Sequence, residues 1–212
     1  MSSIVVIDYG MGNLRSVSKA LESLGASARV SDDPKEITSA TKLILPGVGA
    51  FPAAMQELSA RRLIQPIKEA IARGVPYLGI CLGLQLLFEE SEEGQGAKGL
   101  AVLAGRVPKF RVDGGTLKIP HMGWNQIARG RGAGGVGRGE CPLLTGIPDG
   151  SFFYFVHSYY ADPTDRSVVT LETDYGVRFA AMVWRDNLFA TQFHPEKSQA
   201  VGLRLLENFI KL

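Results

Sequence analysis

Two hydrophobic periods alternate through the first half of the chain. Residues 3–9 form a continuous apolar stretch of the kind that a strand shows when both its faces are covered in a parallel sheet. Asn13 then stands where a helix cap belongs. Leu14, Val17, Ala20, Leu21 and Leu24 follow at helical spacing, and Gly25 stops them. Short apolar strands are expected over residues 28–31, 42–45 and 75–80. Residues 51–73 carry a helical pattern that breaks near Arg61 and Pro66, and residues 82–90 read as a further helix. Strand and helix in strict alternation predict βαβ units and a doubly wound, mostly parallel sheet.

The second half changes pattern. Residues 106–112, 124–127, 151–156, 167–173, 177–184 and 188–191 read as short additional strands separated by turn residues, antiparallel in character. An amphipathic helix over 198–211, with Val201, Leu205, Leu206, Phe209 and Ile210 on its apolar side, closes the chain. Residues 129–139 hold six of the 25 glycines and three arginines, and read as a solvated surface insertion.

Composition narrows the function classes. With 45% hydrophobic and 21% charged residues in 212, the chain resembles ordinary globular proteins and suits one large domain. A net charge of +2 gives no electrostatic case for nucleic acid or an anionic membrane. No apolar run approaches the roughly 18–20 residues of a membrane helix, and no secretory leader is recognisable. Two cysteines are too few for a disulfide framework, so a reducing, cytoplasmic location is expected.

The chemistry concentrates at Gly79-Ile80-Cys81-Leu82-Gly83. A strand runs directly into a helix, with a nucleophile at the junction and glycines two residues to either side. Such a turn is too sharp for side chains at Gly79 and Gly83. It holds the nucleophile in a strained conformation at a helix N-terminus, which favours thiolate. It also aims the Leu82 N–H at a developing oxyanion. A thiol needs a base, and the base an orienting group. Of His121, His157 and His194, only His194 has a carboxylate placed for that role: Glu196, across Pro195, just before the last helix. His121 and His157 have no metal-ligand spacing with each other or with Cys141, so neither a metal nor a cofactor is expected. Gly10-Met11-Gly12 follows the first strand but lacks the third glycine of a dinucleotide site, because Arg15 occupies that position. Asp32 and Asp33 lie near where its acidic residue would stand.

The elbow together with His194-Pro195-Glu196 resembles the class I, triad-type glutamine amidotransferases over essentially the whole chain, residues 1–212 as a single domain of that flavodoxin-like fold. Asp8-Tyr9-Gly10-Met11-Gly12-Asn13-Leu14, Leu45-Pro46-Gly47-Val48-Gly49-Ala50-Phe51, Pro120-His121-Met122-Gly123-Trp124-Asn125 and Phe155-Val156-His157-Ser158-Tyr159 are similar to the glutaminase subunits of imidazole glycerol phosphate synthases in particular. The resemblance implies that Cys81, His194 and Glu196 hydrolyse glutamine to glutamate and ammonia. The ammonia would pass to a separate synthase (cyclase) subunit in a heterodimer of histidine biosynthesis. It implies Gln85 and the backbone of Ser158 and Tyr159 as binding groups for L-glutamine, and Val48 and Gly49 as the second side of the oxyanion hole. Asn13, Trp124, Asn125 and Tyr154 would then lie toward the synthase. Three other readings stand beside this one: a glutaminase of pyridoxal phosphate, anthranilate or aminodeoxychorismate synthesis, a cysteine peptidase or chaperone-like hydrolase, and a non-catalytic flavodoxin-like module.

Overall fold

A computed structural model describes residues 4–111, 117–130 and 139–212. The first half runs β1 (Ile4–Ile7), α1 (Leu14–Ser23), β2 (Ala28–Ser31), α2 (Pro34–Ser39), β3 (Lys42–Gly47), α3 (Phe51–Ala60), α4 (Ile64–Ala72), β4 (Tyr77–Cys81) and α5 (Leu82–Gln85). Five short strands follow: β5 (Glu90–Ser91), β6 (Ala97–Lys98), β7 (Gly105–Val107), β8 (His121–Gln126) and β9 (Ala128–Arg129). The chain ends with β10 (Phe152–His157), β11 (Asp162–Pro163), β12 (Val169–Asp174), β13 (Arg178–Arg185), β14 (Leu188–Thr191) and α6 (Gln199–Lys211).

The main sheet has the order β2-β1-β3-β4-β14-β13-β12-β9. From β2 to β14 neighbouring strands are parallel, and from β14 onward they are antiparallel. Alternate residues of the parallel strands feed two cores. Val5, Ile7, Leu43, Leu45 and Tyr77 face the side covered by α2, α3 and α4. Ile4, Val6, Ile44, Leu78 and Ile80 face the side covered by α1 and α6. This two-sided burial is why the strands read as unbroken apolar runs. It also sends the carboxyl ends of β3, β4 and β14 to one crevice, where open α/β sheets carry their sites. A separate antiparallel ribbon, β8 with β10, lies over that end, and β11-β7-β5-β6 form a small third sheet.

Several expectations are corrected. The helix expected over 82–90 stops at Gln85, after which turns lead into β5. Residues 86–88 are apolar because they are buried in the loop itself, not because a helix continues. Helix α2 is too short to show a hydrophobic period, although Asp33-Pro34 is a cap followed by a proline at the first helical position. Asp33 Oδ1 accepts the Lys35 N–H at 2.8 Å. Asp32 pairs with Arg61 at the surface, at 3.2 Å. Pro66 does not break α4, because it sits in the first turn where its missing N–H is not needed. The break falls near Arg61 as expected, with Arg61 capping α3, and Arg62 follows in the left-handed region at φ +59°. Asn13 occupies the N-cap position of α1, yet its side chain makes no capping bond. The strand expected over 106–112 is only Gly105–Val107 among the described residues. Most of the glycine-rich insertion, residues 131–138, lies outside the described residues.

Candidate active site

Cys81 is the last residue of β4 and stands immediately before α5, at φ +56° and ψ −105°. For a residue with a side chain this is strained backbone, costing on the order of 1–3 kcal/mol. The flanking glycines let the elbow close. A Cβ on Gly83 would lie 2.0 Å from the Leu45 carbonyl oxygen, and one on Gly79 would lie 2.6 Å from the Gly83 carbonyl oxygen. Both obstacles are backbone, so even alanine cannot be accommodated without moving the main chain. Leu82 opens α5, and its N–H is one of the first-turn donors that no helical carbonyl satisfies.

His194 follows β14 by three residues, and four hydrogen bonds hold its turn. Its N–H donates to the Tyr154 carbonyl at 2.9 Å, and its carbonyl accepts the Ser198 hydroxyl at 2.6 Å. Ser198 Oγ in turn accepts the Tyr154 N–H at 3.0 Å. Glu196 Oε1 accepts from His194 Nδ1 at 2.8 Å, with both side chains all but inaccessible to solvent. The Nδ1 proton is thus committed to the carboxylate and Nε2 is left for chemistry. Nε2 has no partner at full hydrogen-bond geometry, and the charge of the Cys81 sulfur acts on this ring. Burial opposes protonation of this ring. The Cys81 sulfur, by charge and hydrogen bonding, and then Glu196 outweigh burial and hold the imidazole well above its ordinary range, to about 10.

Cys81, Leu82 and His194 border a cavity of about 330 Å³, together with Val48 and Gly49 from the end of β3. Gly49 sits at φ +95°, and a Cβ there would meet the Met11 side chain at 2.7 Å. Gln85, Ser158 and Tyr159 line the same cavity. Gln85 is buried, and its Nε2 donates to the Tyr159 carbonyl at 2.9 Å. The volume suits a small polar molecule of amino-acid size.

Two residues at this site were not foreseen. Gln192 is fully buried, bonded to Gln85 through Oε1 and to the Cys81 sulfur through Nε2 at 3.7 Å. It precedes His194 by two, so period-two alternation already placed it on the same face of the extended chain. Among the described residues Glu93 is the one carboxylate lining the cavity, and it also accepts the Phe51 N–H at 2.7 Å, fixing the start of α3. Its position in a turn-rich segment gave no periodic signal.

The residues expected toward a partner lie elsewhere. None of Asn13, Trp124, Asn125 and Tyr154 lines the cavity. Along β8 and β10 the side chains alternate: Phe153 and Phe155 are buried, whereas Met122, Trp124 and Phe152 are exposed. Trp124 is 47% exposed and meets Tyr154 edge to face at 6.2 Å. The Asn125 amide turns inward, donating to the Asp174 carbonyl at 2.9 Å. Among the described residues no group of three His, Cys, Asp or Glu side chains is placed to hold a metal. No helix among them is long and apolar enough to cross a membrane.

Comparison with known proteins matches the class-I glutamine amidotransferase family over residues 5–212. The chain is 56% identical over 210 residues to the imidazole glycerol phosphate synthase subunit HisH of Syntrophotalea carbinolica, covering 97% of this chain and 98% of that one. It is 53% identical over 212 residues to the subunit of the same name from Moorella thermoacetica, covering 100% and 96%. A crystal structure of a glutamine amidotransferase shares the fold with a TM-score of 0.71, over 98% of this chain and 97% of that one, at 18% identity.

Proposed function

The chain belongs to the class-I glutamine amidotransferase family, and from that premise we propose that it is the glutaminase subunit of an imidazole glycerol phosphate synthase, acting in histidine biosynthesis. The observation that carries this reading is the convergence of a strained Cys81 and a buried His194–Glu196 pair on one cavity. A non-catalytic module has no use for that arrangement, since a buried ion pair contributes little net stability for its desolvation.

The Cys81 thiolate attacks the side-chain carbonyl carbon of L-glutamine. Negative charge develops on the carbonyl oxygen, where the N–H of Leu82 and a donor from the Val48–Gly49 segment stabilise it. His194 gives its Nε2 proton to the departing nitrogen, which leaves as ammonia, and a glutamyl thioester remains on Cys81. Water, deprotonated by His194, then cleaves the thioester to glutamate and regenerates the thiolate. Gln85, Ser158 and Tyr159 hold the amino-acid end of the substrate, and Glu93 supplies a negative charge suited to its α-ammonium. The ammonia passes to a synthase subunit in a heterodimer. Trp124 and Tyr154 form the core of the docking face, because a half-exposed tryptophan braced by a tyrosine is the kind of anchor interfaces favour. Asn13 and Asn125 lie at its margin.

Glutamine hydrolysis without a partner would waste ammonia. Glycines flank Val48 on both sides, so the peptide between Val48 and Gly49 rotates at little steric cost. With its carbonyl inward it repels the oxyanion, and with its N–H inward it donates. Losing one such donor costs about 2.7–4 kcal/mol, roughly 10²–10³ in rate. Synthase docking with synthase ligand bound shifts this population toward the N–H-inward form. Steady-state glutamine hydrolysis by the chain alone, with the synthase subunit, and with subunit plus ligand is expected to rise in that order. Equal rates in all three would remove the switch, and no glutamate in any would overturn the function.

A further inference from the structure

The Tyr159 carbonyl is where two hydrogen-bonded lines meet. On one side it accepts from Gln85 Nε2, which also reaches Gln192 and, through it, the Cys81 sulfur. On the other it accepts from His157 Nδ1 at 2.8 Å. A carbonyl only accepts, so His157 carries its proton on Nδ1 and offers Nε2 as an acceptor. That acceptor takes the Nδ1–H of His121 at 3.0 Å, which fixes the same tautomer on the second ring. His121 Nε2 in turn accepts from Asn125 Nδ2 at 3.2 Å. The direction is therefore single: Asn125 to His121 to His157 to the Tyr159 carbonyl.

The surroundings keep this line rigid. Both imidazoles are buried. His121 stacks on Tyr175 at 4.0 Å and on Phe155 at 4.9 Å, and Phe110 lies 5.2 Å from His157. Burial lowers His121 to about 4 and His157 to about 3, so both rings are neutral at physiological pH, as the line requires. The far side of the same peptide is pinned as well, because the Tyr160 N–H donates to the Pro108 carbonyl at 3.1 Å. The Asn125 end is held by the Asp174 carbonyl and by the Gln126 N–H, which donates to Asn125 Oδ1 at 2.8 Å. Asn125 stands between Trp124 and Gln126, two residues turned outward on β8. One end of the line is thus at the outer ribbon and the other at the cavity wall.

We propose that Asn125, His121 and His157 are positioning residues, a one-way hydrogen-bonded line that aims the Tyr159 carbonyl from the outer β8–β10 ribbon and so sets Gln85 and the glutamine-binding wall. The proposal rests on the glutaminase reading above. Buried imidazoles always need partners; what singles out this pair is that its terminal acceptor is the carbonyl that also holds Gln85.

The test combines spectroscopy on the intact chain with steady-state kinetics, with and without the synthase subunit. Nitrogen-15 shifts of the imidazoles are expected to show both His121 and His157 as neutral Nδ1–H tautomers. His121→Phe keeps an aromatic ring against Tyr175 and cuts the line. It is expected to raise the KM for glutamine about tenfold, the effect of one lost buried hydrogen bond, with kcat little changed and the rate of Cys81 alkylation by iodoacetamide preserved. His121→Gln, which still donates and accepts, is expected to bring KM back toward wild type. An Nε2–H tautomer on either ring overturns the line without reference to any variant. So does an unchanged KM in folded His121→Phe, or a parallel fall of KM-normalised rate, kcat and Tm in both variants. A wild-type chain that turns over no glutamine under either condition overturns the glutaminase reading, and this assignment with it.

Discussion

Replacing Cys81 by alanine is expected to abolish glutamine hydrolysis, lowering kcat by on the order of 10⁴–10⁶, while the fold survives. The thiol has no hydrogen bond shorter than 3.7 Å to lose, and alanine occupies the same strained φ with fewer atoms. Synthesis driven by added ammonia is expected to continue in the complex, because free ammonia bypasses the thioester. The two rates, measured on one preparation with thermal melts as a control for folding, separate a lost nucleophile from a lost structure. Substantial glutamine-dependent turnover in Cys81→Ala would show that the cavity works by another group.

The second large effect divides the His194–Glu196 pair. His194→Ala removes the carboxylate-paired base of the cavity and is expected to lower kcat by about 10⁵–10⁶. Glu196→Gln leaves the imidazole in place but removes the charge that orients and stabilises it, and is expected to cost about 10⁴. Equal losses would give Glu196 a role beyond orientation. His194 also links stability to pH, through the Cys81 sulfur first and Glu196 second. The folded imidazole is raised from 6.5 to about 10, so its stabilisation is complete below pH 6.5 and fades as pH rises through the folded value. Thermal melts across this range should show wild type losing its advantage over Glu196→Gln toward high pH.

The parallel half of the fold is legible because β1, β3 and β4 are covered on both faces and the helices on one, and these leave different periods. Boundaries were less legible where tertiary burial imitates periodicity. Leu86, Leu87 and Phe88 are apolar to fill a loop beneath the third sheet, and so extended a helix that ends at Gln85. The strands of two or three residues, such as β5 and β7, are too short to impose any alternation. At the site, Cys81, His194 and Glu196 were legible because the elbow and the His-Pro-Glu turn are local in sequence. Gln192 and Glu93 gain their meaning only from partners 111 and 42 positions away. The same holds for the His121–His157 pair, whose separation of 36 residues is closed by the register of β8 against β10.

The most direct test of the account is the covalent intermediate. The complete chain, with the synthase subunit, is mixed with L-glutamine and quenched in acid during the first turnover. The Cys81 peptide is then weighed by mass spectrometry. The account predicts one added glutamyl group on Cys81, removed by hydroxylamine and absent when Cys81 is alanine. Glutamate released at full rate with no such adduct, or with the adduct on another side chain, would contradict it.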